Sequence, residues 1–290
     1  MAVSQAQLKA FHAVALHGNF TRAAESLFLS QPAVSDQVRK LEERFGILLF
    51  HRNKRSVQLT DLGERLLTIT LRLFAAEAEA QELLTTSRAL ETGTLTLAVD
   101  SPVHLLAHIA RFCDRYPGIR VSLVTGNSDE SLRRLQEYKA DFALLGRVVE
   151  DDSLITHVLS SSPMVAFVAR SHPWAERESI VLADLAEMPM VLRERGSMTR
   201  QILEEEMQRS GLQIRPAIEV EGREATFEMV AAGLGVGFVS GAEVGVSANV
   251  HVLPIRDCLQ RMTETLVCLR EQGSRRIIET FFEMVRSNRS

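Results

Sequence analysis

The stretch from Gly18 to Gly46, GNFTRAAESLFLSQPAVSDQVRKLEERFG, limits the fold more tightly than any other part of the chain. It reads as two helices joined by a tight turn. Thr21 is a good N-cap for the first helix, which turns Ala23, Ala24 and Leu27 inward, and Phe28, Leu29 and Ser30 make the turn. Ser30 caps the second helix, with Gln31 and Pro32 in its first turn, where the missing proline N–H costs nothing. Ala33, Val34, Val38, Leu41 and Phe45 recur at three- and four-residue steps, so one face of this helix is expected to be buried. The opposite face carries Gln31, Ser35, Asp36, Arg39 and Lys40. A short helix, a turn of about three residues and a second helix with a polar outer face describe a helix-turn-helix, whose second helix enters the DNA major groove. Gln31 and Ser35 can read bases, and Arg39 and Lys40 can hold phosphates. Pro32 and Ser35 are small enough for close backbone approach, and Thr21 and Ser30 at the two helix starts complete the expected DNA-facing set. Asp36 runs against this reading, because phosphate repels a carboxylate unless it accepts from a cytosine amino group.

Residues on either side fit the same unit. Ser4 to His17 reads as a supporting helix with Leu8, Phe11, Val14 and Ala15 on one face. Leu49–Phe50 and the pair Val57 and Leu59 flank a basic tip, which reads as a short hairpin with Arg52, Lys54 and Arg55 placed to touch phosphate or the minor groove. Phe20-Thr-Arg-Ala-Ala-Glu-Ser-Leu, Ser30-Gln-Pro-Ala-Val-Ser, Leu41-Glu-Glu-Arg-Phe-Gly, Leu49-Phe50-x-Arg52 and Leu59-Thr60-x-x-Gly63 follow in order. In these motifs the chain resembles the LysR-type transcriptional regulators. The tip lacks the glycine often found there in the family, which leaves its turn geometry open.

Leu62, Leu66, Ile69, Leu73, Ala76, Ala80, Leu83, Ser87 and Leu90 alternate four- and three-residue steps, with no glycine or proline between Gly63 and Gly93. This is a heptad seam, and a helix of roughly thirty residues, about 45 Å long, needs a partner helix. The resemblance implies an antiparallel pairing with its twin to give a homodimer, with a dimer of dimers as the larger assembly. Residues 1–65 hold nine basic against six acidic residues, a balance of +3, which leaves −7 for the rest of a chain whose net charge is −4. A basic end on an acidic body confines DNA binding to that end.

Beyond Glu91-Thr-Gly-Thr the period changes. Strands at 95–99, 119–125 and 141–146 alternate with helices at 102–116 and 128–138. A second such unit starts with the strand at Met164, with strands at 190–192, 217–221, 236–239, 250–255 and 264–270 and helices at 197–210, 223–232 and 274–286. The resemblance implies an α+β multidomain chain: an N-terminal winged helix-turn-helix (1–60), a long linker helix (61–91), and a C-terminal two-subdomain α/β effector domain of periplasmic-binding-protein type (94–163 plus 267–290, and 164–266). Polar loops that start helices are anion sites, because N–H groups and the helix dipole point at the ligand. The loops concerned hold Ser101 and Pro102; Gly126, Asn127 and Ser128; and Arg195, Gly196, Ser197 and Thr199, with Arg147, Arg223 and Glu224 alongside. With Arg193 and Arg200 they suit a small anionic effector in the cleft: a carboxylate, sulfonate or phosphonate. A finer likeness, in GNS at 126, LRE at 192 and GREA at 222, is to regulators associated with 2-aminoethylphosphonate catabolism.

Enzyme readings fail. Gly233-Leu-Gly235-Val-Gly237 follows a helix and leads into a strand, the reverse of a dinucleotide loop, and there is no G-x-S-x-G elbow, H-E-x-x-H or P-loop. His104 and His108 lie one helical turn apart, but no third ligand is near them in the sequence, so neither metal nor cofactor is expected. Cys113, Cys258 and Cys268 are far apart and read as buried reduced thiols. No signal peptide or membrane span is visible, so the chain is expected to be cytoplasmic. Its expected partners are double-stranded promoter DNA, the effector, a second copy of itself and, if it activates, RNA polymerase. The alternative is a solute-binding protein without a DNA role, which the heptad linker and missing leader oppose.

Overall fold

The computed structural model describes residues 3–53, 56–84, 92–244 and 249–287, in two compact units, 1–86 and 87–290. The first unit opens with α1 (Gln5–His17), α2 (Phe20–Ser26) and α3 (Gln31–Phe45). The cap of α2 is Asn19, not Thr21: its Oδ1 accepts from the N–H groups of Thr21 at 2.7 Å and Arg22 at 3.2 Å. Asn19 stands in extended backbone just before the turn, where its short amide reaches both free donors. Ser30 caps α3 by accepting from Ala33 N–H, and Gly46 ends the helix in the left-handed conformation. Phe45, expected inward, is exposed. Glu42 is buried instead, and its Oε1 accepts from the N–H groups of Leu49 at 2.7 Å and Phe50 at 3.3 Å. Because the chain doubles back at Gly46, these donors would otherwise be unpaired, and a carboxylate satisfies them better than a ring.

An antiparallel hairpin follows, β1 (Phe50–Asn53) with β2 (Ser56–Leu59), in register Phe50↔Leu59. Its tip, Lys54 and Arg55, and the Arg52 side chain lie outside the described residues. Phe11, Val14, Ala23, Ala24, Val34, Val38, Leu41, Leu49, Phe50 and Leu67 form one core. At the corner into the next helix, Thr60 Oγ1 donates to Leu48 O at 2.8 Å and accepts from Gly63 N–H at 3.1 Å. A Cβ on Gly63 would stand 2.3 Å from the Leu49 carbonyl oxygen. The Leu-Thr-x-x-Gly motif is therefore a packing requirement: the helix starts against the backbone that leads into the wing.

The long helix, α4 (Asp61–Leu84), turns Leu67, Thr70, Phe74 and Glu77 toward α1. His12 Nδ1 sits 3.0 Å from Thr70 Oγ1 with its ring edge-on to Phe74, and burial lowers its pKa to about 4, so the imidazole is neutral. Glu77 meets Lys9 at 2.9 Å. Most of the heptad seam lies on a different face: Leu62, Ile69 and Leu73 are 41, 60 and 43 % exposed, and Ala76 and Ala80 are exposed with them, whereas Leu66 packs against the core of the unit. The Leu83 side chain, Ser87 and Leu90 lie outside the described residues.

The second unit contains β3 (Gly93–Val99), α5 (Leu106–Arg115), β4 (Ile119–Thr125), α6 (Ser128–Gln136), β5 (Phe142–Leu145) and β6 (Leu154–Ala169). Then come α7 (Leu182–Ala186), β7 (Pro189–Arg193), α8 (Met198–Arg209), β8 (Arg215–Val220), α9 (Arg223–Ala231), β9 (Gly237–Ser240), β10 (Val250–Pro254), β11 (Arg261–Leu269) and α10 (Arg276–Arg286). Strand β3 pairs in parallel with β4 and β5, and β7 with β8. Strand β6 begins at Leu154, ten residues before the expected start; its first half, Leu154–Pro163, is mostly half-buried or exposed and is held by pairing with β11 from Leu154↔Leu269 to Pro163↔Arg261. Its apolar second half pairs with β10 and β9. The antiparallel pair β6–β11 thus runs from one hydrophobic core, around Leu97, Phe112, Phe142, Leu266 and Phe281, into another, around Ala166, Met190, Ile202 and Met262. β11 changes cores between Met262 and Leu266, where its register shifts at Glu264/Thr265.

Two outcomes are expected. Gly63→Ala should destabilise the N-terminal unit by about 1–3 kcal/mol in urea unfolding, since neither the Leu49 carbonyl nor the helix start can move independently. The double variant Ile69→Asp, Leu73→Asp should be monomeric by light scattering while keeping its helical circular dichroism; an unchanged oligomer would remove the seam from the interface.

Candidate functional site

On α3, Gln31, Pro32, Arg39 and Lys40 are exposed and Ser35 and Asp36 half-buried; Thr21 and Ser30 are exposed nearby. Asp36 Oδ1 accepts from Arg39 Nη2 at 2.7 Å and Asp36 Oδ2 lies 2.7 Å from Lys40 Nζ. Hydrogen bonds from Lys40 and Arg39 hold its carboxyl below the usual range. The carboxylate that looked out of place among phosphate-binding residues tethers the two cations one helical turn away. Such exposed pairs are weak, so the cations remain available to a stronger anion.

In the second unit a cavity of about 270 Å³ opens where the helices start at the carboxyl ends of the strands. Pro102, Gly126, Asn127, Arg223 and Glu224, all expected, line it together with Asp100, Thr125, Glu130, Arg193, Glu194, Glu221 and Gly222. Arg193 spans it: Nη2 donates to Asp100 Oδ1 at 3.0 Å, and Nε donates to Glu194 Oε2 at 2.9 Å. Glu194 Oε2 also accepts from Gly222 N–H, and Asn127 Nδ2 donates to Glu194 Oε1 and to the Arg195 carbonyl. Asn127 meanwhile caps α6 through Oδ1. These bonds join the two halves of the unit across the cleft. Burial drives the Asp100 pKa up against the pull of Arg193; burial also opposes ionisation of Glu194, yet Arg193 holds it low.

The cationic anion pocket expected from the sequence is not what the fold builds. Five carboxylates line the cavity against two guanidiniums. Arg147 pairs with Asp129, Arg200 with Glu204 and Glu219, and Arg223 with Glu224. Arg195 is exposed and outside the lining, and Gly196 is packed against the Asn127 amide. A sequence displays arginines but not the acids that fold onto them. The hydroxyls fare differently. Ser128 Oγ accepts from Gly146 N–H, whereas Ser101, Ser197 and Thr199 are at most 3 % exposed; none of the four is in the cavity lining, and the hydroxyls of Ser197 and Thr199 have no partner. Ser197 is the uncapping N-cap of α8, so the N–H groups of that helix start are not satisfied by its side chain.

A second cluster lies near Asp100. His104 Nε2 is 3.6 Å from Glu264 Oε1 and 3.9 Å from Glu243 Oε1, with all three side chains at most 7 % exposed. Burial, then the charge of Asp100, pushes Glu243 up to about 7; burial, then Glu243 and Asp100, pushes Glu264 up to about 9. Sequence spacing missed this group because the glutamates are far along the chain from His104. Of the cysteines, Cys268 is buried and Cys258 half-buried, but Cys113 is exposed, contrary to expectation.

Comparison with known proteins agrees with both units. Residues 5–64 match the family model for the bacterial regulatory helix-turn-helix protein of the lysR family, and residues 88–290 match the LysR substrate binding domain. The chain belongs to the LysR family of transcriptional regulators. It is a DNA-binding regulator with an effector-binding domain, not an enzyme. It is 36 % identical over 242 residues to the RuBisCO operon transcriptional regulator of Allochromatium vinosum, covering 83 % of this chain and 80 % of that one. Full-length OxyR from Pseudomonas aeruginosa has the same fold, with a TM-score of 0.79 at 22 % identity over 99 % of this chain and 95 % of that one. The regulatory domain of Synechocystis CcmR, solved in complex with 2-PG, gives a TM-score of 0.61 at 24 % identity over 68 % of this chain and 97 % of that one. The finer likeness to regulators of 2-aminoethylphosphonate catabolism finds no support among these relatives. No helix among the described residues is long and apolar enough to cross a membrane.

Arg193→Met should destabilise the effector-binding unit by about 3 kcal/mol in urea unfolding, because the half-buried Asp100 and Glu194 then lack their counter-charge. Adding Asp100→Asn should restore part of that loss; no recovery would dissociate the two residues energetically.

Proposed function

We propose that the cleft takes a small oxyanion held chiefly by neutral donors, and that its binding resets the angle between the two halves of the effector unit to change DNA binding. The observation that carries this reading is the polar cavity at the helix starts, lined by Pro102, Thr125, Gly126, Asn127 and Gly222, with the unpartnered buried hydroxyls of Ser197 and Thr199 behind the Arg195 carbonyl that Asn127 holds across the cleft. An unpaired buried hydroxyl costs on the order of 1–3 kcal/mol, so a ligand that pairs several of them gains without displacing Arg193 from its carboxylates. Hydroxyls and helix N–H groups suit phosphate or carboxylate oxygens. A relative named for a RuBisCO operon, and a similar domain solved with 2-PG, support a phosphorylated metabolite of carbon metabolism as the effector class. Asn127, with its amide already bridging the halves, senses closure; Gly126, Ser128, Pro102 and Gly196 shape the loops; Arg147, Arg195, Arg223 and Glu224 set the field at the rim.

At the other end, Gln31 and Ser35 read base edges, Pro32 lets the backbone approach, and Thr21, Ser30, Arg39, Lys40, Arg52, Lys54 and Arg55 contact the phosphates. Two linked copies, paired through the α4 seam and again as a dimer of dimers, read a two-fold operator. The effector acts by binding one cleft angle more tightly than the other; a hundredfold preference corresponds to about 2.7 kcal/mol.

Titration calorimetry with a panel of phosphorylated acids and sugars tests the cleft. Ser197→Ala should keep operator affinity but lose ligand binding and the effector response; a normal response from that variant sinks the assignment. For the DNA face, Asp36→Asn should raise affinity for all sequences alike, because Arg39 and Lys40 are then freed for phosphate. A change confined to one base position would make Asp36 a base reader instead.

A further inference from the structure

The cluster His104, Glu243 and Glu264 has no part in the effector reading, and it comes from three separate places. His104 ends the 3₁₀ turn Pro102–His104 after β3, in one half of the unit. Glu243 ends the turn Gly241–Glu243 after β9, in the other half. Glu264 sits on β11 at the register shift, where that strand passes between them. One donor atom from each, a ring nitrogen and two carboxylate oxygens, lies within 4.8 Å of the others.

We infer that these three side chains bind one divalent first-row transition-metal ion, of the zinc or manganese type, that ties the two halves of the effector unit to the strand connecting them. The separations of 3.6 and 3.9 Å are too long for hydrogen bonds. They approach the spacing of ligands around a shared ion: donors about 2.1 Å from a tetrahedral centre stand about 3.4 Å apart. The His104 side chain is 7 % exposed, its Nε2 has no hydrogen-bond partner, and it points at both carboxylates. Among the described residues no lysine or arginine forms an ion pair with either carboxylate; Arg223 Nη1 donates to the main-chain oxygen of Glu243 and Nη2 to Glu224. A dication supplies the missing charge, and one imidazole with two carboxylates favours manganese, iron or zinc over the all-oxygen shells of calcium and magnesium. Waters complete the shell. The sequence, which offered only His108 beside His104, excluded a metal for want of a third ligand.

The inference does not depend on what fills the cleft, and its test is independent of DNA. Full-length protein is stripped with a chelator, dialysed and equilibrated with Zn²⁺, the bound metal is counted per chain, and Co²⁺ is used separately as a visible-absorption probe. One tightly held ion per chain, with d–d bands from cobalt and a melting temperature raised by Zn²⁺, is the expected result. Glu264→Gln and His104→Gln should each weaken binding by about a hundredfold or more, since outer-shell changes alone cost about 10–100-fold. His104 lies outside the hydrophobic cores, so His104→Gln carries the comparison if the strand variant does not fold. A wild-type chain that retains no ion, or variants that bind as well as wild type through the remaining histidines, overturns the inference.

Discussion

One buried guanidinium organises the effector unit. Arg193 ends β7 with 5 % of its side chain exposed and meets Asp100 at the end of β3 and Glu194 beside it. A charge so placed is tolerable only with its partners in position. The Arg193–Asp100 pair therefore holds together two halves built on separate hydrophobic cores, and Asn127 reinforces it from the start of α6. The strands β6 and β11 supply the covalent continuity between the halves; this polar bridge supplies the closure. Any ligand in the cavity must work around this bridge or rearrange it.

The DNA-binding unit depends on a different constraint, the approach of α4 to the backbone before the wing. Gly63 allows the contact, and Thr60 Oγ1 pairs with the Leu48 carbonyl and the Gly63 N–H beside it. The helix then emerges with two distinct faces. Leu67, Thr70 and Phe74 pack on α1, and Ile69 and Leu73 stay exposed on the other. The position of α3 and the direction of the exposed seam are thus set by one continuous helix within this unit.

Electrostatics recur in one form throughout. Cations that a sequence reader assigns to ligands are held by acids close by: Arg39 and Lys40 by Asp36, Arg147 by Asp129, Arg200 by Glu204 and Glu219. On α3 these pairs are exposed and weak. At Arg193 the pair is buried. What distinguishes the two is desolvation, which makes separating a buried pair expensive and an exposed one nearly free.

Local periodicity and end signals by themselves determined the helix-turn-helix, the wing, the heptad rod and the alternation of strands and helices, because three- to four-residue spacing, Ser30 before Gln31-Pro32 and Gly46 after Phe45 act within a turn or two of chain. Only the tertiary structure decided that Asn19 rather than Thr21 caps α2, that Glu42 is buried and Phe45 is not, and that β6 starts ten residues early, since each depends on donors or strands brought in from elsewhere. The same holds for the partners of Arg193 and for the meeting of His104 with Glu243 and Glu264. Charge pairing and ligand geometry are properties of distance in space, and residues so far apart in the chain carry no local trace of it.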